Sequence, residues 1–193
     1  MARPASEQRR LTMTNPQAVF IALVDPKSPT NVGAVMRAAG CYGADQVRYS
    51  GTRFERAARY QTDTKDMLSK IPLLREDDLL SGLPDDMKIV CVELAEGASP
   101  LPQFVHPPQA IYVFGPEDGS LPQVLINQAD HVVYVPTATC MNLAASVNVV
   151  LYDRLAKAPQ TPQGDALIKS SRDINNRLKT PRRAPPHPEK ETP

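Results

Sequence analysis

The sequence of residues 18–41 is AVFIALVDPKSPTNVGAVMRAAGC. Its first part, residues 18–24, is continuously apolar, which predicts a strand buried on both faces, as in a parallel sheet. The polar residues 25–30 predict a loop. A helix is predicted over residues 31–41, because apolar side chains recur at helical spacing at Val32, Val35, Met36 and Ala39. Thr30 is its predicted N-cap and Gly43 its predicted stop.

The alternation of strand and helix continues to residue 156. Further strands are predicted at residues 46–50, 88–94, 110–114 and 131–135. Further helices are predicted at residues 54–60, 65–68, 76–80 and 142–156. One more helix is predicted to run to Ala129 from a capping box of Ser120 and Gln123, with Pro122 in its first turn. This order predicts an α/β fold with a mostly parallel sheet flanked by helices, and a ligand site beyond the carboxyl ends of the strands.

Charge is unevenly distributed along the chain. The 193 residues include 22 Lys and Arg and 21 Asp and Glu, a formal net charge of +1. Residues 1–15 carry +2, residues 16–156 carry −5 and residues 157–193 carry +4. We predict a domain at residues 16–157, between a disordered basic arm (1–15) and a Pro-rich, basic, largely disordered tail (158–193) with a weak helical pattern. The basic ends favour a polyanionic partner; the alternative is that they only keep the protein soluble.

Several classes of protein are disfavoured by the sequence. No apolar run reaches the length of about 18 residues that a membrane span needs, and no apolar stretch typical of a secretory signal precedes Pro16. Cys41, Cys91 and Cys140 are far apart and form no CxxC pair, so we expect no disulfide framework, no metal site and a cytoplasmic location. The patterns GxxxxGK[ST], GxGxxG, HExxH and GxSxG are absent, which disfavours the common nucleotide and hydrolase sites.

Three short motifs lie at predicted strand–helix junctions. The first is Asn31-Val-Gly-Ala-Val-Met-Arg37-Ala-Ala39, and the second is Phe114-Gly-Pro-Glu-Asp-Gly-Ser-Leu121. The third, Cys140-Met-Asn142-Leu-Ala144, opens the last predicted helix. In this order, and over residues 18–156, the chain resembles the SpoU (TrmH-type) branch of the SPOUT RNA methyltransferases.

The resemblance implies a fold and an activity. The fold would be the SPOUT α/β-knot, with its C-terminal part threaded into a trefoil knot. The protein would be a homodimer that binds S-adenosyl-L-methionine and transfers a methyl group to a ribose 2′-hydroxyl of tRNA or rRNA. A small target such as a tRNA loop is favoured, because the domain and its ends must select the RNA themselves. The alternative is a non-catalytic RNA-binding relative that keeps the fold.

Catalytic roles are implied for Arg37, Glu117 and Asn142. A guanidinium is always protonated, so we expect Arg37 to stabilise the developing alkoxide and to hold a phosphate, while another group takes the proton. Glu117 would orient Arg37 or the substrate, and Asn142 would contact the substrate. Their structural alternatives are a surface arginine, a turn residue and a helix N-cap.

The resemblance also points to cofactor contacts, mostly through the backbone. These are expected at Leu94, Gly115, Val135, Cys140, Met141 and Leu143. RNA contacts are predicted at Asn31, Arg48, Arg53, Arg56 and Arg59; a solvated helix face is the alternative for the arginines.

Two positions depart from the family pattern. In the second motif the glycine, Gly119, comes one residue early, although the spacing from Glu117 to Leu121 is kept. In the third motif Cys140 stands where a serine is usual, and a thiol is a weaker hydrogen-bonding group than a hydroxyl. These departures motivate the non-catalytic alternative.

Overall fold

A computed structural model describes residues 15–58, 71–159 and 163–181. The chain divides into two compact units, residues 1–159 and residues 160–193. Nearly all of the predicted basic arm, the helix predicted at residues 65–68 and Arg59 lie outside the described residues, whereas residues 163–181 of the predicted tail are described.

The first unit contains a seven-stranded sheet. Its strands are β1 (Val19–Leu23), β2 (Gln46–Tyr49), β3 (Leu73–Arg75), β4 (Lys88–Val92), β5 (Ser99–Pro100), β6 (Ala110–Phe114) and β7 (His131–Tyr134). The strand order is β3-β2-β1-β6-β4-β7-β5, and every pairing between described strands is parallel. The predicted parallel sheet is therefore confirmed, with two short strands, β3 and β5, that were not predicted.

Helices and turns connect the strands. They are α1 (Pro29–Tyr42), α2 (Arg53–Ala58), a 3-10 turn (Leu101–Gln103), α3 (Gln123–Gln128) and α4 (Leu143–Lys157). The second unit contains α5 (Asp165–Ser171). No described helix is long and apolar enough to cross a membrane.

The central strands are buried on both faces, as the apolar runs predict. Ile21, Leu23 and Tyr112 pack in a core cluster with the buried sides of α1 and α4. Phe20 and Ile111, which point to the opposite face because side chains alternate along a strand, pack with residues around Leu79, Met87 and α3. A sheet covered on both sides leaves the ends of its strands as the place for a ligand. The trefoil knot stays a prediction.

Two predicted helix starts are wrong. The N-cap of α1 is Ser28, not Thr30, since the Ser28 hydroxyl accepts from the Asn31 N–H at 3.3 Å and Pro29 occupies the first turn. The predicted capping box of α3 does not form, because Pro122 is the N-cap and no side chain caps the helix. Gly43 ends α1, as predicted, and adopts the left-handed conformation.

Residues 76–80 form turns rather than the predicted helix. The Asp78 carboxylate accepts from the N–H of Leu80 at 3.0 Å, and the Asp78 carbonyl accepts from Ser81. An aspartate that bonds its own downstream backbone competes with helix formation, which explains the error.

Candidate active site

A cavity of about 420 Å³ lies where β4, β6 and β7 end. That volume falls within the range of small-molecule and cofactor pockets. All six residues expected to contact the cofactor line it: Leu94, Gly115, Val135, Cys140, Met141 and Leu143. Glu117 lines the cavity as well, so the second motif and the third meet at this point.

The loop after β6 is held tightly against the end of β4. Glu93 Oε2 accepts from the Leu121 N–H at 2.8 Å, and its Oε1 accepts from the Leu94 N–H at 2.9 Å. A Cβ added at Gly115 would lie 3.3 Å from the Leu121 nitrogen. Glycine therefore lets the loop fold back closely and leaves this wall of the cavity as bare backbone.

The Glu117 carboxylate is bound by the residues that begin α1. Its Oε2 accepts from the Lys27 N–H at 2.8 Å, and its Oε1 accepts from the Ser28 N–H at 3.0 Å. The Asn31 side chain donates a third hydrogen bond, at 2.9 Å, to Oε1. The carboxylate thus occupies the N-terminal end of a 14-residue helix, where free N–H groups and the helix dipole favour an anion.

These contacts set the protonation of Glu117. Burial favours the neutral acid and would raise its pKa, but the hydrogen bonds from Asn31, Lys27 and Ser28 outweigh burial. The pKa of Glu117 is consequently lowered from its ordinary value of 4.5. The group is a stable anion at neutral pH and a poor acceptor of a proton.

Asn142 joins the same hydrogen-bond chain from the other side. Its Oδ1 caps α4 by accepting from Ala144 and Ala145, at 2.9 and 3.3 Å. Its Nδ2 must therefore point away from the helix, and it donates to Asn31 Oδ1 at 3.0 Å. Asn31 in turn donates to Glu117. The hydrogen-bond partners therefore fix which end of each side-chain amide, in Asn31 and in Asn142, is the oxygen and which is the nitrogen. Residues from all three motifs form one continuous network.

Arg48 is a correction to the predicted RNA contacts. Arg48 is only 7% exposed. Its guanidinium donates to the carbonyls of Leu79 and Ser81, at 3.1 and 2.7 Å, and to the side-chain oxygen of Gln46 at 3.1 Å. It also stacks over the Phe20 ring at 5.2 Å. Burial lowers its pKa, partly offset by Glu76 and Asp78. Arg48 fastens residues 79–81 to the sheet and presents no surface to RNA.

The other predicted RNA contacts fall into three groups. Arg53 is bound by Asp25 and Asp118, and Asn31 belongs to the network described above. Arg56 is exposed, and within the described ranges its side chain has no hydrogen bond or ion pair. Arg59 lies outside the described residues.

Arg37 is exposed on α1. In the part of the chain that the structure describes, its side chain forms no hydrogen bond or ion pair, so the structure does not bring Arg37 into contact with Glu117. A Cβ added at Gly33, one turn earlier, would touch nothing within 4 Å. This part of α1 is open to a substrate or a partner.

Three site residues were missed by the sequence reasoning: Glu93, Lys27 and Asp118. The apolar run KIVCVEL was predicted as strand to Leu94, which placed Glu93 inside the strand, whereas β4 ends at Val92. Lys27 and Asp118 lie in loops that follow β1 and β6. Their position directly beyond buried strands was the signal available.

Together these features define a parallel α/β protein with a cofactor-sized cleft at the carboxyl ends of its strands, closed by polar side chains from three loops. The chain belongs to the SpoU rRNA Methylase family, whose family model matches residues 18–152. No curated protein matches the chain in sequence.

Solved structures similar to the chain have low sequence identity and therefore support the fold alone. An rRNA methyltransferase from Sinorhizobium meliloti is 21% identical, with a TM-score of 0.65 over 76% of this chain and 59% of that one. The SpoU methyltransferase AviRb from Streptomyces viridochromogenes, in complex with AdoMet, is 19% identical, with a TM-score of 0.61 over 78% and 64%. The A. aeolicus TrmH/SpoU tRNA modifying enzyme is 15% identical, with a TM-score of 0.60 over 77% and 81%. The chain spans less than two thirds of the first two.

Proposed function

We propose that this protein is an S-adenosylmethionine-dependent RNA methyltransferase that modifies a ribose 2′-hydroxyl of tRNA or rRNA. The observation that carries the proposal is the network of Asn31, Glu117 and Asn142 beside the cavity. These residues are up to 111 positions apart in sequence and come from the first turn of α1, the loop after β6 and the N-cap of α4. Membership of the SpoU rRNA Methylase family supports the same activity.

The cavity fits the proposed cofactor. Gly115 gives it a wall of bare backbone, and Leu94, whose residue is 56% exposed, offers an apolar surface to a planar base. Backbone groups of Val135 and Met141 would bind the neutral adenine, and the Glu93 and Glu117 carboxylates would favour a cationic ligand over its neutral product. S-adenosylmethionine supplies the methyl group from a sulfonium centre.

Arg37 is the residue we propose to act on the substrate. Its guanidinium is free of protein partners within the described residues, so it can bind the phosphate next to the target ribose and stabilise charge on the 2′-oxygen. It stays protonated and does not take the proton. Glu117 is committed to three hydrogen bonds, so we assign proton removal to water or to an RNA group rather than to Glu117.

For RNA binding we propose Arg37, Arg56, Arg59 and the basic ends of the chain. A tRNA is favoured over rRNA as the substrate. We further propose a homodimer and a cytoplasmic location. The surface of α1 around Gly33 and Arg37 is open to one of these partners, the RNA or the second subunit.

The test is methyl transfer to bulk RNA with labelled S-adenosylmethionine, followed by mapping of the modified nucleotide. Label is expected on the ribose 2′-oxygen, and Arg37→Ala is expected to lower the rate about 100-fold or more, as for loss of a charge-stabilising donor. Label on a base, with Arg37→Ala fully active, would contradict the proposal.

The non-catalytic alternative makes a different prediction. A relative that only binds RNA would give no heat signal with S-adenosylmethionine but would bind RNA in a salt-sensitive manner. Calorimetry with the cofactor alone therefore separates the two hypotheses before any RNA is chosen.

A further inference from the structure

Arg53 is held by two loops at once. Its Nη1 lies 2.9 and 3.0 Å from the two oxygens of Asp118, in the loop after β6. Its Nε and Nη2 donate to the Asp25 carbonyl at 3.1 and 2.6 Å, and Nε also lies 2.9 Å from the Asp25 carboxylate. One guanidinium thus joins the loop after β1 to the loop after β6.

On the Asp25 side, the contact with Arg53 involves an unusual backbone conformation. Asp25 is the only non-glycine residue with positive φ in the described ranges, at 41°. Gly51, at φ 76°, passes so close that an added Cβ would lie 2.0 Å from Asp25 Oδ1. Conformations of this kind cost energy and persist where the surrounding contacts hold them. Here the contacts are with Arg53 and with the Ser50 hydroxyl, which accepts from the Asp25 N–H at 3.2 Å.

The two loops that Arg53 joins are those that hold Glu117. Lys27 and Ser28, whose N–H groups bind the Glu117 carboxylate, follow Asp25 by two and three residues. Asp118 is the next residue after Glu117. If Arg53 released either partner, the carboxylate and its N–H donors would separate more easily.

The charges around Arg53 argue against a direct RNA contact. Arg53 and Lys27 are opposed by Asp25, Asp118 and Glu117, so the cluster carries a net negative charge. The hydrogen bond from Arg53 lowers the pKa of Asp118, which keeps that carboxylate ionised at neutral pH. A phosphate would have to displace these carboxylates to reach the guanidinium.

We propose that Arg53 is a positioning residue: by clamping Asp118 to Asp25 it holds Glu117, and through it Asn31 and Asn142, in the arrangement that methyl transfer needs. The catalytic part of this inference rests on the proposed function; the clamp itself does not. It replaces the RNA contact predicted for Arg53.

Hydrogen exchange of the Lys27 and Ser28 amides tests the clamp without any activity. In Arg53→Gln and in Asp118→Asn these two amides are expected to exchange on the order of tenfold faster, because a charge-assisted contact that limits local opening is lost. Asp118→Asn keeps the shape of the side chain and serves if Arg53→Gln fails to fold; because it also breaks the 3.5 Å ion pair between Asp118 and Lys27 Nζ, Lys27→Gln is measured beside it. Lys88→Gln is the matched control, since it breaks an ion pair with Asp130 at the amino end of β4. Unchanged exchange in both variants would overturn the proposal.

Kinetics and salt dependence then separate positioning from RNA contact. In Arg53→Gln we expect kcat to fall about tenfold while KM for RNA changes little, with only partial rescue by Arg53→Lys, since an ammonium cannot bridge both loops as a planar guanidinium does. If Arg53 binds a phosphate instead, Arg53→Gln would leave kcat unchanged. The slope of log RNA affinity against log salt concentration would then be shallower by about one unit in this variant than in the wild type. If the wild-type protein transfers no methyl group, the proposed function fails while the exchange result still decides the clamp.

Discussion

At the scale of single residues, Asn31 links Glu117 to Asn142. It accepts from Asn142 and donates to Glu117, so one amide transmits the position of α4 to the loop after β6. Both of its contacts would be lost in Asn31→Ala. Because the orientation of each amide depends on the next, substitutions at the hydrogen-bonded residues of this network should not have independent effects.

The first prediction is a double-mutant cycle between Asn31 and Asn142. Asn31→Ala is expected to lower kcat/KM for methyl transfer by about 10- to 100-fold, as for the loss of a hydrogen bond to a charged group. Asn142→Ala should have a similar effect, and the double variant should be little worse than the more damaging single one. Asn127→Ala, an exposed asparagine on α3, is the control. Fully additive losses would contradict a single network.

The second prediction concerns pH and Glu117. The pKa of Glu117 is lower in the folded than in the unfolded chain, so its stabilising effect is complete above about pH 4.5 and is lost as the pH falls through the folded value. Replacing Glu117 by Gln removes that dependence. The difference in free energy of unfolding between wild type and Glu117→Gln should therefore shrink as the pH falls.

Denaturant titrations at several pH values would measure this difference. Glu96→Gln is the control, because Glu96 is an exposed carboxylate outside the network. The opposite result is a difference in free energy of unfolding between wild type and Glu117→Gln that stays constant down to the lowest pH at which both proteins fold. That result would rule out a lowered pKa as the source of the stabilisation.

At the scale of elements, α4 is fastened to β6 and to the segment before it by a chain of side-chain hydrogen bonds, here called the relay. Tyr112 and His106 Nδ1 are 2.6 Å apart, and His106 Nε2 lies 2.9 Å from Asp153 on α4. Burial lowers the pKa of His106, so the ring is neutral at pH 7, accepts from Tyr112 and donates to Asp153. Arg154 completes the link by donating to Tyr112 and to the carbonyls of Pro107 and Pro108.

The third prediction is that this relay serves stability. Tyr112→Phe removes the hydroxyl that donates to His106 and accepts from Arg154, and should lower the free energy of unfolding by about 1–3 kcal/mol. KM for the cofactor should not change, because the relay includes none of the residues that line the cavity. Thermal unfolding measures the effect, with the exposed Tyr152→Phe on α4 as the control. Equal stability of the two variants would refute the assignment.

The elements that sequence predicted well are those whose signals are local. The AIYVF run became β6 with its predicted bounds, and Asn142 caps α4, because apolar runs and cap residues act within a few positions. β3 and β5 have only three and two residues and exist through pairing with distant strands, which no local pattern reveals. Ser120 failed as a cap because Pro122 already starts α3.

The site was predicted in part for the same reason. The six cofactor residues line one cavity because the motifs follow the ends of parallel strands, which lie along one edge of the sheet. Arg48 was misassigned because its burial depends on residues 79–81, more than 30 positions away. The pairing of Arg53 with Asp118 is likewise a long-range contact that spacing in the sequence does not show.

For the whole molecule, the net charge of +1 conceals an acidic body and basic ends. The described part of the second unit contains four basic residues, of which Arg172 is half-buried and the others are exposed: Lys169, Arg172, Arg177 and Lys179. Basic chains of this kind bind nucleic acid through phosphates, with an affinity that falls as salt is added. We therefore expect the ends to hold RNA while the body holds the cofactor.

The fourth prediction is a truncation that removes residues 159–193. RNA affinity should fall and its salt dependence should become shallower, whereas affinity for S-adenosylmethionine should stay within about twofold. Filter binding across a salt series, together with calorimetry, measures both. An RNA affinity unaffected by the truncation would mean that the tail only keeps the protein soluble.

The central claim is methylation of a ribose 2′-hydroxyl in RNA, and one comparison tests it most directly. Ribose methylation would be mapped site by site in tRNA and rRNA from cells with and without this protein. We expect one or a few 2′-O-methyl marks to vanish without the protein, to return with the wild-type chain and to stay absent with Arg37→Ala. Identical maps in the two cell lines, or a change confined to a base, would contradict the account.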